Sequence, residues 1–269
     1  MGLPENTTGR GAGPGPHPGG RDLGAVPERA MMGELESVWQ GGARSARPVA
    51  LVSERQAIAS AAEAAAMLAY MVYYIWVLEP AAHGLHWPYF ALFFLLTLLS
   101  HRLHGDTLAD LGIRADTLPR ALAEGLAVIA PALLLAFVIG RFMDGGRPMT
   151  PGRAGLSLLG IYPWALFQQY GLQCFFGRRL GEVLRHPIGH DVVCAGIFAA
   201  LHLPNPFLTV VTFGAGYCFC ALFRRCPNLF AVAGLHALAS TVLYYCLPPA
   251  VTFLMRVGPG YLLNLRLGG

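Results

Sequence analysis

Residues 192–223 read VVCAGIFAALHLPNPFLTVVTFGAGYCFCALF, an apolar run bounded by Asp191 and Arg224 with no formally charged side chain inside it. A second uncharged run lies between Arg225 and Arg256. A helix needs roughly 20 apolar residues to cross a hydrocarbon core. Leu203-Pro204-Asn205-Pro206 cuts the first run where a tight helical hairpin would turn, because proline lacks an N–H and ends helices. The two runs predict an all-α, polytopic transmembrane bundle.

Composition agrees with that reading. The 269-residue chain is 55% hydrophobic and 13% charged, against roughly 45–50% and about 25% for soluble domains. Working outward, apolar spans are expected at about Ile58 to Val77, His86 to Leu99, Ala121 to Gly140, Leu156 to Phe176, Ile188 to Leu203, Pro206 to Phe223 and Asn228 to Leu247. The second and fifth are short. A weaker stretch, Ala250 to Leu265, is broken by Gly258-Pro259-Gly260 and leaves seven or eight helices open. Thr107 to Leu118 alternates leucine with Asp and Arg and predicts a short amphipathic helix on the membrane surface.

All 19 basic residues are arginines, which fits a GC-rich genome. The net charge of +4 follows from arginines flanking spans and implies no nucleic-acid partner. Arg44, Arg47, Arg55, Arg102, Arg114, Arg120, Arg178, Arg179, Arg185, Arg224 and Arg225 fall on one side of the predicted spans; Arg141, Arg147 and Arg153 fall on the other. That bias predicts a cytosolic N-terminus, with Arg178 and Arg179 as membrane anchors. Residues 1–55, rich in Gly, Pro and Arg, are expected to form a disordered cytosolic tail. Cys218 and Cys220 lack the spacing of a redox or zinc pair, and the cysteines are expected to pack.

Polar side chains inside lipid mark function by default. Gln168, Gln169 and Gln173 occupy the fourth span. Gln169 and Gln173 share a helix face, with Gln168 about 100° round. Phe198 and His202 lie four apart in the fifth span, as do His236 and Ser240 in the seventh, so two histidines and a hydroxyl are expected to converge. His186, His190 and Asp191 read as interface residues, and Gly214 and Gly216 as sites of close helix approach.

Phe198 to His202 is an FxxxH motif, His236 to Ser240 approximates HxxxN, and Gln168-Gln169…Gln173 stands where EExxxR would. Over about Tyr162 to Tyr245 the chain therefore resembles the CPBP family of intramembrane proteases, which includes type II CAAX prenyl endopeptidases and the Abi proteins. Leu108 to Arg114 (LADLGIR) is similar to a short segment that precedes such domains.

The resemblance implies N-terminal transmembrane helices over 56–150, a protease-like core over 151–247 and a C-terminal apolar segment over 248–269. It also implies a bacterial cell-membrane location, membrane-lipid contacts, and hydrolysis near a membrane-anchored, possibly prenylated C-terminus of a hydrophobic or lipid-modified peptide. In the family pattern a glutamate is general base on water, while histidines and asparagine hold a metal or stabilise the oxyanion. Carried over, the site is Gln168, Gln169, His202, His236 and Ser240, with His202 and His236 as ligands of zinc or another divalent ion.

Four positions depart from the pattern: Gln168 and Gln169 replace its glutamates, Gln173 its arginine and Ser240 its asparagine. An amide orients water but cannot take its proton. His202 or His236 then becomes the candidate base, with Glu63 and Glu124 as more distant ones. The alternative is an inactive scaffold or chaperone that binds lipid-modified or hydrophobic peptides.

Overall fold

A computed structural model describes residues 52–81, 86–143, 146–148 and 150–266. The expected tail lies, up to residue 51, outside them. Among the described residues every regular element is helical, as the sequence predicts.

Helix α1, Glu54–Ala81, starts at Ser53, whose hydroxyl accepts from Gln56 N. Helix α2, Trp87–His104, ends at Gly105, where φ is +68°; only glycine takes that conformation without strain. Helix α3 is Leu118–Arg141. Helix α4, Pro151–Gln169, runs through a π-helical segment, Tyr170–Phe176, into α5, Gly177–Val183. Helices α6, Pro187–Ala200, and α7, Pro206–Arg225, form the predicted hairpin. Asn205 caps α7 with Pro206 in its first turn, a pairing that pre-sets helical φ where no N–H is needed. Helix α8, Leu229–Cys246, is capped by Asn228.

Helices α1, α3, α7 and α8 are long and apolar enough to cross a membrane. The others are shorter or more polar: α2 ends in His101, Arg102 and His104, and α6 has 14 residues. Leu134, Leu156 and Val210 are 63%, 73% and 73% exposed, whereas Gln169, Arg179 and Asp191 are fully buried. Apolar outside and polar inside is the arrangement lipid requires. The chain is an integral membrane protein.

Helix α8 lies between α3 and α4, and α6 packs along α7. Small residues set these approaches. A Cβ at Gly216 would meet Ala195 Cα at 3.2 Å and Phe198 Cδ1 at 3.3 Å, while one at Gly214 would meet nothing within 4 Å. Gly216 alone fulfils the expected role. At Gly140 a Cβ would collide with the Cys246 carbonyl oxygen, a backbone atom that cannot swing away. Gly140→Ala is therefore expected to cost about 1–3 kcal/mol of stability through overpacking, read as a lower thermal midpoint in detergent. Gly155→Ala, which meets nothing within 4 Å, serves as control, and equal midpoints for the two variants would refute the packing account.

Three expectations are corrected and one open alternative is settled. The Thr107–Leu118 stretch forms turns, not a helix, closed by Asp110 bonds to Thr107, with Gly112 O accepting from Leu229 N; Leu111 is buried against protein while Leu108 is exposed. The stretch after Cys246 is no eighth span. It comprises α9, Pro249–Thr252, a 3-10 turn, Phe253–Met255, with positive φ at all three residues, and α10, Gly258–Arg266. This segment folds back onto the α6–α7 turn, where Asn205 Nδ2 donates to Thr252 O and Arg256 O, and Gly258 N donates to Leu203 O.

Arg178 and Arg179 are not surface anchors. Both bond Asp106, and Arg179 Nη1 also reaches Glu182 at 3.0 Å. Glu182 also accepts from Ser60 at 2.8 Å and faces His104 Nδ1, whose Nε2 faces Glu63 at 3.2 Å. This network joins α1, α2 and α5. Asp191 likewise lies buried between His190 at 3.0 Å and Arg224 at 2.7 Å, so it is not an interface residue. All six cysteines are free.

Candidate active site

A cavity of about 880 Å³ is bounded by the end of α1, α2, α4, the α6–α7 turn, α7, α8 and the C-terminal segment. Its walls are largely aromatic, with Tyr74, Phe90, Phe93, Trp164, Phe167 and Phe219 among them. Gln168, His202, His236 and Ser240 all line it. Sequence spacing thus brings four of the five candidate residues to one space.

Each polar side chain is positioned by its own element. His202 sits in the turn after α6, where the chain has left the helix. Its Nδ1 lies 2.6 Å from Phe198 O. A carbonyl only accepts, so Nδ1 carries the proton and Nε2 keeps its lone pair.

His236, on α8, is held from behind. Gln173 Nε2 donates to Gln169 Oε1 at 3.1 Å, and Gln169 Nε2 lies 3.1 Å from His236 Nδ1. In this orientation of the two amides Nδ1 accepts, leaving Nε2 with the proton. The two imidazoles are complementary: one Nε2 accepts and the other donates. The Phe198 ring meets both edge-on, at 4.8 Å and 76° from His202 and at 5.7 Å and 88° from His236, which fixes their planes.

Gln169 therefore does not face the cavity. It is fully buried and serves His236, a division of labour imposed by the 100° between successive helix residues. Gln168 points to the other side, and its Oε1 is buried without a hydrogen-bond partner. Glu63 is taken up by Ser100 at 2.6 Å and by His104, while Glu124 pairs with Arg120 on the surface at 2.7 Å. Neither carboxylate lines the cavity.

The donor set does not fit a catalytic metal. Such sites take three protein ligands from His, Cys, Asp or Glu, and no trio of these gathers among the described residues. His202 and His236 bring no carboxylate or thiolate with them, and the Nε2 of His236 is occupied by a proton. No step is routed through a metal here.

Gln173, on the helix face that the sequence assigns it with Gln169, orients that amide. One participant escaped the sequence reading. Thr241 lines the cavity beside Ser240 with an unpartnered hydroxyl. A threonine in an apolar helix ordinarily bonds its own backbone, so no sequence signal distinguishes this one.

Residues 154–242 match the family model described as type II CAAX prenyl endopeptidase Rce1-like. The matched stretch holds every residue of the site. No curated protein and no solved structure matches the chain.

Proposed function

We propose that this protein is an intramembrane endopeptidase that hydrolyses a peptide bond near a membrane-anchored, lipid-modified C-terminus, with His202 as general base. The observation that carries the reading is the His202 Nδ1–Phe198 O bond, which leaves a basic lone pair in an apolar cavity lined by hydrogen-bonding groups. The family match over 154–242 supports the reaction class, and the aromatic walls suit a lipid chain or hydrophobic peptide.

A water donates one hydrogen to His202 Nε2 and the other to Gln168 Oε1, whose missing partner this supplies. Its oxygen attacks the scissile carbonyl carbon as His202 takes the first proton. Negative charge develops on the carbonyl oxygen, where His236 Nε2–H and Ser240 Oγ–H donate to it. Donors already in place cost no reorganisation as that charge forms. The protonated His202 then hands its proton to the departing amine nitrogen, and the C–N bond breaks. The other product leaves as a carboxylic acid.

His202→Ala is expected to lower the cleavage rate of a membrane-anchored reporter peptide by about 10²–10⁴-fold, the range a general base supplies. Initial rates of purified protein test this. Unchanged cleavage in the variant would remove His202 from the mechanism.

A second reading is favoured by the amides themselves: with Gln168 and Gln169 in place of carboxylates, the cavity binds peptide without cutting it. Binding with no cleavage by the unmodified protein would establish that scaffold and overturn the enzyme.

A further inference from the structure

We infer that Thr241 is a substrate-positioning residue whose hydroxyl hydrogen-bonds a backbone peptide group of the ligand in the cavity, an inference that rests on the peptide-binding reading above.

The other threonines among the described residues show what this one forgoes. Thr209 donates to Asn205 O at 2.8 Å, Thr212 to Leu208 O at 2.6 Å and Thr252 to Pro248 O at 3.3 Å, all one helical turn back. Thr97 donates to Phe94 O at 3.1 Å, Thr117 to Pro227 O at 3.0 Å and Thr107 to Asp110, while Thr150 accepts from Arg153 N. Thr241 does none of this. It is 5% exposed, its Oγ1 has no partner, and it lines the cavity one residue beyond Ser240 on the helix that carries His236.

An unpaired buried hydroxyl destabilises the empty protein. The bond to the carbonyl of residue 237 is the usual remedy for a helical threonine; here it is not made. The ligand that relieves this must bring a hydrogen-bonding group to Thr241, beside Ser240 and His236 in the same cavity. A peptide group does so, offering C=O to the hydroxyl hydrogen and N–H to its oxygen, and an acyl or isoprenyl chain offers neither. Next to the proposed oxyanion donors, such a contact fixes the register of the bound chain relative to His202.

Thr241→Val separates ligand binding from structure because it removes the hydroxyl at nearly constant volume. With no internal bond to lose, the valine variant should unfold in detergent at an equal or higher temperature than the native protein. Its affinity for a fluorescent hydrophobic octapeptide, read by anisotropy, should fall by about tenfold, the upper range for a single neutral hydrogen bond. Thr241→Ser should restore it. Replacing successive amides of the octapeptide by esters should identify one position that weakens binding to the native protein but not to Thr241→Val.

Equal affinity of the native and valine proteins would overturn the inference while leaving the endopeptidase reading intact. A fall in thermal midpoint together with affinity, without rescue by serine, would assign Thr241 a structural role instead. Failure of the native protein to bind any such octapeptide would remove both readings.

Discussion

Replacing Gln168 by glutamate is expected to raise peptide hydrolysis, by less than the about 10²–10⁴-fold that a general base supplies, because His202 already provides one. Gln168 already lines the cavity, and its Oε1 is already in want of a donor. The substitution therefore changes the basicity of one atom and little of its placement. A carboxylate there can accept a proton from the attacking water, which the amide cannot. His202, relieved as sole base, can then act mainly as proton carrier to the leaving nitrogen. Rates for Gln168→Glu and native protein on the same reporter decide the matter. A rate no higher than native would mean that Gln168 does not face the attacking water. Activity appearing from none would instead mark the native chain as an inactive relative with an intact cavity.

The other large effect lies outside the cavity. Arg179 is fully buried against Asp106 and Glu182, and removing one partner of a buried pair strands the other's charge in a medium that solvates it badly. Arg179→Met is expected to cost about 3–5 kcal/mol, measured as a lower unfolding midpoint in detergent. The network also sets an acid limit. Burial alone would raise the Asp106 pKa, but the His101 hydrogen bond and the Arg178 and Arg179 guanidiniums outweigh it and hold the carboxyl at about 2, below its ordinary 3.8. A depressed carboxyl pKa contributes stability in full above the unfolded value. The contribution of Asp106 should thus be steady above pH 3.8, and the midpoint should fall as the pH drops from there towards 2. In Arg179→Met that acid slope should be shallower. A variant as stable as native would show that the pair contributes nothing net.

What could be read from the sequence was whatever follows from period and local chemistry. The first uncharged run, with Pro204 and Pro206 dividing it, defines the α6–α7 hairpin without reference to any partner. The four-residue spacings put His202 near Phe198 and Ser240 near His236. The 100° between Gln168 and Gln169 already separates a cavity-facing amide from one that faces α8.

What could not be read depends on residues far apart in the chain. Arg179 looks like an interfacial arginine until Asp106, on the other side of α3 and α4 in sequence, is brought to it. The Thr107–Leu118 pattern suits a membrane surface as well as a protein one, and only the burial of Leu111 decides. The apolar content of residues 250–265 leaves a span open, and only left-handed φ values at Phe253, Leu254 and Met255 show that the chain turns back on itself. The orientation of the Thr241 hydroxyl is a choice of rotamer, made by packing.

The π-helical segment Tyr170–Phe176 stands between two polar assemblies carried by one continuous helix. Below it are the amides that serve the cavity and α8, and above it the guanidiniums that serve α1 and α2. All seven of its residues are buried, so it cannot slip to accommodate a change at either end. Its wider turns, closed by i→i+5 bonds, fix the angular offset between the amides and the guanidiniums. Gaining or losing one residue there would rotate one set against the other by about a quarter of a turn. Catalytic alignment and helix anchorage are thereby tied to the length of a stretch whose one amide, Gln173, itself orients Gln169, and insertions or deletions there should disturb both assemblies at once.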